Sequence, residues 1–123
     1  GMIPGSGGSI RFLHMIGLAR TKDMVMRSRR LSGQQACDWG IAVDCVADDA
    51  LAEATDKLVE ELKFFSPLAQ RTIKGVLNTA QDAPVHIGLE MEGHAYGKLR
   101  SSEDFREGVE SFYEKRKPNF VGR

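Results

Sequence analysis

The chain has 123 residues, 41% of them hydrophobic, and its 17 basic and 17 acidic residues cancel to a formal net charge of zero. That is the size and composition of one ordinary globular domain. It leaves no electrostatic footprint for nucleic acid or an anionic membrane surface, no apolar run of about eighteen residues to span a bilayer, and glycines where a secretory signal would begin. The expected setting is therefore cytoplasmic, without a nucleic-acid or membrane partner.

In chain order, a glycine-rich turn, Gly1-Met2-Ile3-Pro4-Gly5-Ser6-Gly7-Gly8, runs straight into an apolar segment. Ile10, Leu13 and Gly17 then recur at helical spacing, and a second helical stretch follows from Leu18 to about Ser28, so the pattern predicts two short helices broken near Gly17. Gly33 to Gly40 reads as one or two helical turns closed by Gly40 at the position just past the cap. Ile41, Val43 and Cys45 alternate with Ala42 and Asp44, which predicts one short strand over Ile41–Val46. It should pair poorly and bury Ile41 and Val43 against helices.

Asp48 or Asp49 is placed to cap a long amphipathic helix with Leu51, Leu58, Leu62 and Phe65 on one face. Ser66-Pro67 supplies an N-cap and a first-position proline for the next helix, which carries Leu68, Thr72, Ile73, Val76, Leu77 and Ala80. Pro84 starts another, with Leu89, Met91, Tyr96 and Leu99 at its apolar positions. Ser101-Ser102-Glu103-Asp104 resembles a capping box ahead of a last helix striped by Phe105, Val109, Phe112 and Tyr113, which Pro118 helps to end. The fold class expected is mainly α, with at most one or two short strands.

Several chemistries fail on their spacing. The glycine turn lacks the Lys-Ser/Thr pair of a nucleotide-phosphate loop and the third glycine of a dinucleotide fingerprint, Ile10 standing in its place. His86, Glu90 and His94 share a broad helix face, but the spacing lacks the close histidine pair of a metal motif, and no metal is expected. His14 fits a hydrogen-bonded packing histidine better than a base. Ser6 and Ser9 have no His or acid nearby in sequence to activate them. The only two cysteines, Cys37 and Cys45, are too far apart in sequence for Cys-x-x-Cys chemistry and read as reduced structural thiols.

The order Ile3-Pro4-Gly5-Ser6-Gly7-Gly8 followed by Arg11, the helix break Ile16-Gly17-Leu18-Ala19-Arg20, the run Arg29 to Ala42, and the ending Glu107 to Pro118 together resemble the second half of the enoyl-CoA hydratase/isomerase (crotonase) family. Ile10, Asp44 and Ser6 depart from residues frequent in that family. The resemblance covers the whole chain. It implies the helical, trimer-forming C-terminal region of the crotonase fold, residues 1–123 as a single helical domain, with the N-terminal catalytic ββα region absent.

Family hydratases hold a thioester carbonyl with two backbone N–H groups and activate water with two glutamates. By resemblance both donors and both acids belong upstream, so activity of this chain is left open and turnover by it alone is not expected. Within the chain, the resemblance implies a catalytic role for the backbone N–H of Gly5, which would help hold the attacking water. It implies substrate-binding roles for Lys115, reaching the phosphate end of coenzyme A bound to a neighbouring subunit, and for Phe112 and Tyr96, lining that end of the pocket. Coenzyme A would enter only as part of an acyl-CoA substrate, with no separate cofactor. The partner expected is a second copy of the chain, trimer first and dimer second. The competing expectation is a non-catalytic helical self-association module.

Overall fold

A computed structural model describes all residues, 1–123. It contains six α-helices and one short 3₁₀ turn, with no strand: α1 (Gly8–Met26), α2 (Gly33–Asp38), the 3₁₀ turn Asp48–Ala50, α3 (Leu51–Lys63), α4 (Pro67–Ala80), α5 (Val85–Leu99) and α6 (Glu103–Glu114). The chain falls into two compact units, Gly1–Ala54 and Thr55–Arg123.

The first unit is shaped by backbone conformation. Ser6 (φ 55°) and Gly7 (φ 80°, ψ 5°) are both left-handed, and the Gly8 N–H donates to the Gly5 carbonyl at 3.0 Å. This is the geometry of a type I′ turn, and it delivers the chain directly into α1. At Gly17 the backbone leaves helical space altogether (φ 78°, ψ 168°) and divides α1 where the sequence predicts a break. The Thr21 hydroxyl accepts the task of satisfying that kink, donating to the Gly17 carbonyl at 2.8 Å from a buried position.

Helix α2 is closed at both ends. Ser32 and Gln35 form a reciprocal capping box at its start, and at its end Gly40 (φ 77°) donates to the Cys37 carbonyl while Ile41 donates to that of Ala36. That pair of bonds is a Schellman motif with Gly40 in the left-handed position expected for it. The same closure removes the expected strand. The amides of Ile41 and Ala42 both go to the Ala36 carbonyl, at 2.8 and 3.2 Å, so they cannot join a ladder. Val43, expected to be buried, is 98% exposed. Alternating apolar residues announced a strand, but a strand needs a neighbour to take its amides, and the chain supplies none.

In the second unit, α4 and α5 pack as a hairpin, with Thr72, Ile73 and Val76 sharing the lining of a small cleft with Ala95, Tyr96 and Leu99. The helices lie close at the turn end, where a Cβ at Gly88 would stand 3.4 Å from Ala80 Cβ, a van der Waals contact. Helix α4 begins as the Ser-Pro pair predicts, the Ser66 hydroxyl accepting from the Ala69 N–H at 3.0 Å. For α6 the cap is Ser102, accepting from the Phe105 N–H at 3.0 Å; with Phe105 at the third helical position the reciprocal half of a capping box is missing. Neither Asp48 nor Asp49 caps α3; both lie inside the 3₁₀ turn that precedes it.

No apolar side chain is buried anywhere in the chain, and the four buried residues are all polar: Thr21, Ser66, Asp104 and Ser111. The amphipathic stripes are real, yet Leu51, Phe65, Leu77, Leu89 and Phe112 are each more than half exposed.

Candidate functional site

Helix α6 ends at Lys115, which occupies the left-handed region (φ 55°, ψ 36°) that glycine would adopt without strain. Lys115 donates to Phe112 and Arg116 donates to Ser111, a second Schellman closure of the same kind as at Gly40. It reverses the chain, so that residues 117–123 run back beside α6 as a strap.

Two carboxylates one helical turn apart hold the strap, and each has a defined set of donors. Glu107 accepts two bonds from the Arg116 guanidinium and one from the Asn119 N–H at 2.6 Å. The Arg116 guanidinium, then the Asn119 amide, draw the Glu107 carboxyl down to about 2, and Glu107 in turn raises Arg116 above the usual guanidinium range. Asp104, 3% exposed, accepts from the Ser66 hydroxyl, from the Val121 N–H at 2.7 Å and from the Gly122 N–H at 3.0 Å. Burial pushes the Asp104 carboxyl up, but the Ser66 hydroxyl and the two strap amides outweigh it, and the net displacement is downward. Asp104 also donates its own N–H to the Arg123 carbonyl at 3.0 Å. At Gly122 (φ 83°) a Cβ would come within 3.2 Å of Pro67, so the strap needs glycine there for both conformation and space.

The strap places Phe120 against Gly108, a close approach that leaves its ring in the wall of an open cavity of roughly 480 Å³. Tyr96, Leu99, Phe105, Val109, Phe112 and Tyr113 make up most of the remaining lining. Tyr96 meets Phe105 edge to face at 6.2 Å, and Phe112 meets Tyr113 at 5.9 Å. The volume is that of a small-molecule or cofactor site, and the lining is apolar with few polar groups. The one carboxylate in that lining, Asp104, is already occupied by Ser66 and the strap, so the cavity is equipped to bind apolar matter rather than to move protons.

The residues singled out in sequence distribute unevenly. Tyr96 and Phe112 line this one cavity although they come from different helices. Lys115 lies beyond its lining, exposed at the end of α6. Gly5 belongs to the other unit, in the exposed turn ahead of α1, where a Cβ would meet nothing within 4 Å. Sequence reasoning passed over Asp104, Glu107 and Phe120. Arg116, noted in sequence only as part of the ending Glu107 to Pro118, is the partner of Glu107. An acid in the first turn of a helix, a second acid three residues on, and a short tail after proline were the available signals.

The family model described as Enoyl-CoA hydratase/isomerase matches residues 1–123. The chain is 32% identical over 123 residues to 2,3-dehydroadipyl-CoA hydratase of Escherichia coli, covering all of this chain and 48% of that protein. It is likewise 32% identical to the human enoyl-CoA hydratase domain-containing protein 2, mitochondrial, covering all of this chain and 44% of that one. Among solved structures, an enoyl-CoA hydratase from Bacillus anthracis superposes with a TM-score of 0.95 at 33% identity, over 99% of this chain and 47% of its own. The chain thus spans about half the length of the relatives it matches.

Proposed function

The chain belongs to the enoyl-CoA hydratase/isomerase family along its whole length, and on that footing we propose that these 123 residues serve an acyl-CoA-processing enzyme as its association and pocket-forming segment. They form the helical C-terminal region of the crotonase fold. The observation that carries the proposal is the absence of any buried apolar side chain beside well-formed amphipathic helices. Apolar faces of this extent in a folded unit call for covering by another body. A homo-oligomer, trimer first and dimer second, supplies one.

To Lys115 we assign a contact with a remote phosphate of coenzyme A. Its left-handed backbone supports that role, because a lysine held where glycine would be less strained suggests that the side chain is needed. Tyr96 and Phe112 would wall the pocket, and Gly5 would offer its N–H to water in the turn ahead of α1. No turnover by the 123 residues alone is proposed, since the loss of even one oxyanion donor costs a hundredfold or more in rate.

Sedimentation equilibrium at tens of micromolar, combined with an assay on crotonyl-CoA, tests this reading. A closed oligomer without turnover is expected. A monomer would remove the association role, and turnover surviving stringent purification would return the chemistry to this segment. In an enzyme carrying this segment, Lys115→Ala should raise KM for CoA thioesters with kcat nearly unchanged; a fall in kcat alone would end the phosphate assignment. The second reading, a self-association module with no ligand, rests on the same exposed faces and predicts no affinity for coenzyme A.

A further inference from the structure

Cys37 and Cys45, separated in sequence, are brought together by the Schellman turn at Gly40. The turn sends residues 41–47 back along α2, and the Cys45 sulfur comes to lie 2.9 Å from where a Cβ at Gly33 would stand. Gly33 and Cys37 are four residues apart on one face of α2, so that sulfur sits over the face that carries Cys37. Cys45 is also one of the groups close enough to shift the Cys37 thiol. Both are free, Cys45 exposed and Cys37 half-buried.

We propose that Cys37 and Cys45 are a modification site, forming a reversible intrachain disulfide when the protein meets a peroxide. Cys45, the exposed member, reacts first. Its thiolate attacks one peroxide oxygen, the O–O bond breaks, and the departing hydroxide takes the proton that Cys45 released, leaving a sulfenic acid and one water. The Cys37 sulfur then attacks the Cys45 sulfur, the S–O bond breaks, and the leaving oxygen departs with the Cys37 proton as a second water. Two thiols lose two electrons to one peroxide, and the product is a disulfide tying the loop after α2 back to the helix. Burial, with Cys45, Asp44 and Asp38 alongside, pushes the Cys37 thiol up, which suits a resolving thiol shielded from direct oxidation.

The test treats the 123-residue chain with stoichiometric hydrogen peroxide and follows intact mass and free thiols. Both thiols should disappear together, with a mass loss of two hydrogens, no chain-to-chain link, and full reversal by dithiothreitol. In Cys37→Ser the reaction should stop at a Cys45 sulfenic acid that dimedone traps. In a glutathione redox buffer the native chain should favour its disulfide at least tenfold more than the chain in urea, about 30 mV in potential. Chain-to-chain disulfides, stable glutathionylation of Cys45, or equal native and urea constants would each overturn the proposal.

Discussion

The two units share their helix-closing devices but differ in where most of their local order comes from. Gly1–Ala54 is organised by backbone conformation: a type I′ turn at Ser6-Gly7, the Gly17 break, and closures at Ser28 and Gly40, all with positive φ. Arg20 and Arg29 both lie over the Trp39 ring, at 5.4 and 5.2 Å, and Asp23 is held down by Arg29 and Arg27 at the surface. Thr55–Arg123 is organised by side chains that cap and clasp, with Asp104 at the junction of α4, α6 and the strap. Three of the four buried residues are in the second unit. Neither unit depends on a sealed apolar core, so in both the polar bonds set the shape while the apolar surface stays available for a partner.

Substitutions at these two kinds of device should differ in size and sign. The largest loss is expected for Asp104→Ala, which strands the buried Ser66 hydroxyl and two part-buried strap amides. About 2–4 kcal/mol of stability should go, read from urea denaturation, and amide exchange at Val121 and Gly122 should accelerate. A loss within a few tenths of a kcal/mol would mean that the strap is held by Phe120 packing instead. In the other unit, Gly17→Ala should cost about 1–3 kcal/mol from backbone strain alone, because a Cβ there meets no atom within 4 Å. Gly97→Ala, in regular helix with equally open space, should stabilise by about 0.4–1 kcal/mol. Equal signs for those two would refute the conformational account of Gly17.

Lys115→Gly should stabilise the isolated chain by about 1 kcal/mol, since glycine relieves the left-handed strain that lysine carries. The smallest effect at neutral pH is expected for Glu107→Gln, whose partner Arg116 is 41% exposed along its side chain. Its signature is in acid. The Glu107 carboxyl is depressed from 4.5 to about 2, so its contribution is complete above pH 4.5 and is lost as pH falls toward 2. The Asn119 amide should lose protection across that window in the native chain and not in Glu107→Gln; protection unchanged down to pH 2 in the native chain would show that Glu107 does not hold the strap.

Local devices were legible in the residues because they depend on neighbours in sequence. Gly17 as a break, Gly40 as a closure and Ser66-Pro67 as a helix start follow from steric and hydrogen-bonding rules that act over four or five residues. The family was legible for the same reason, its motifs being contiguous. What failed was whatever required a partner distant in sequence. The alternation at Ile41–Val46 looked like a strand because side-chain pattern says nothing of where the amides go, and the Schellman closure had already claimed two of them. The pairing of Arg116 with Glu107 was not legible because the two are joined only when the chain reverses after α6. Asp104 looked like a helix-start acid, and only the return of the strap and the arrival of Ser66 from 38 residues away made it a buried hub. Sequence by itself determined the helices, the ends marked by Gly17, Gly40 and Ser66-Pro67, and the family; tertiary structure decided which polar groups lost their water, because burial depends on what the folded chain brings alongside.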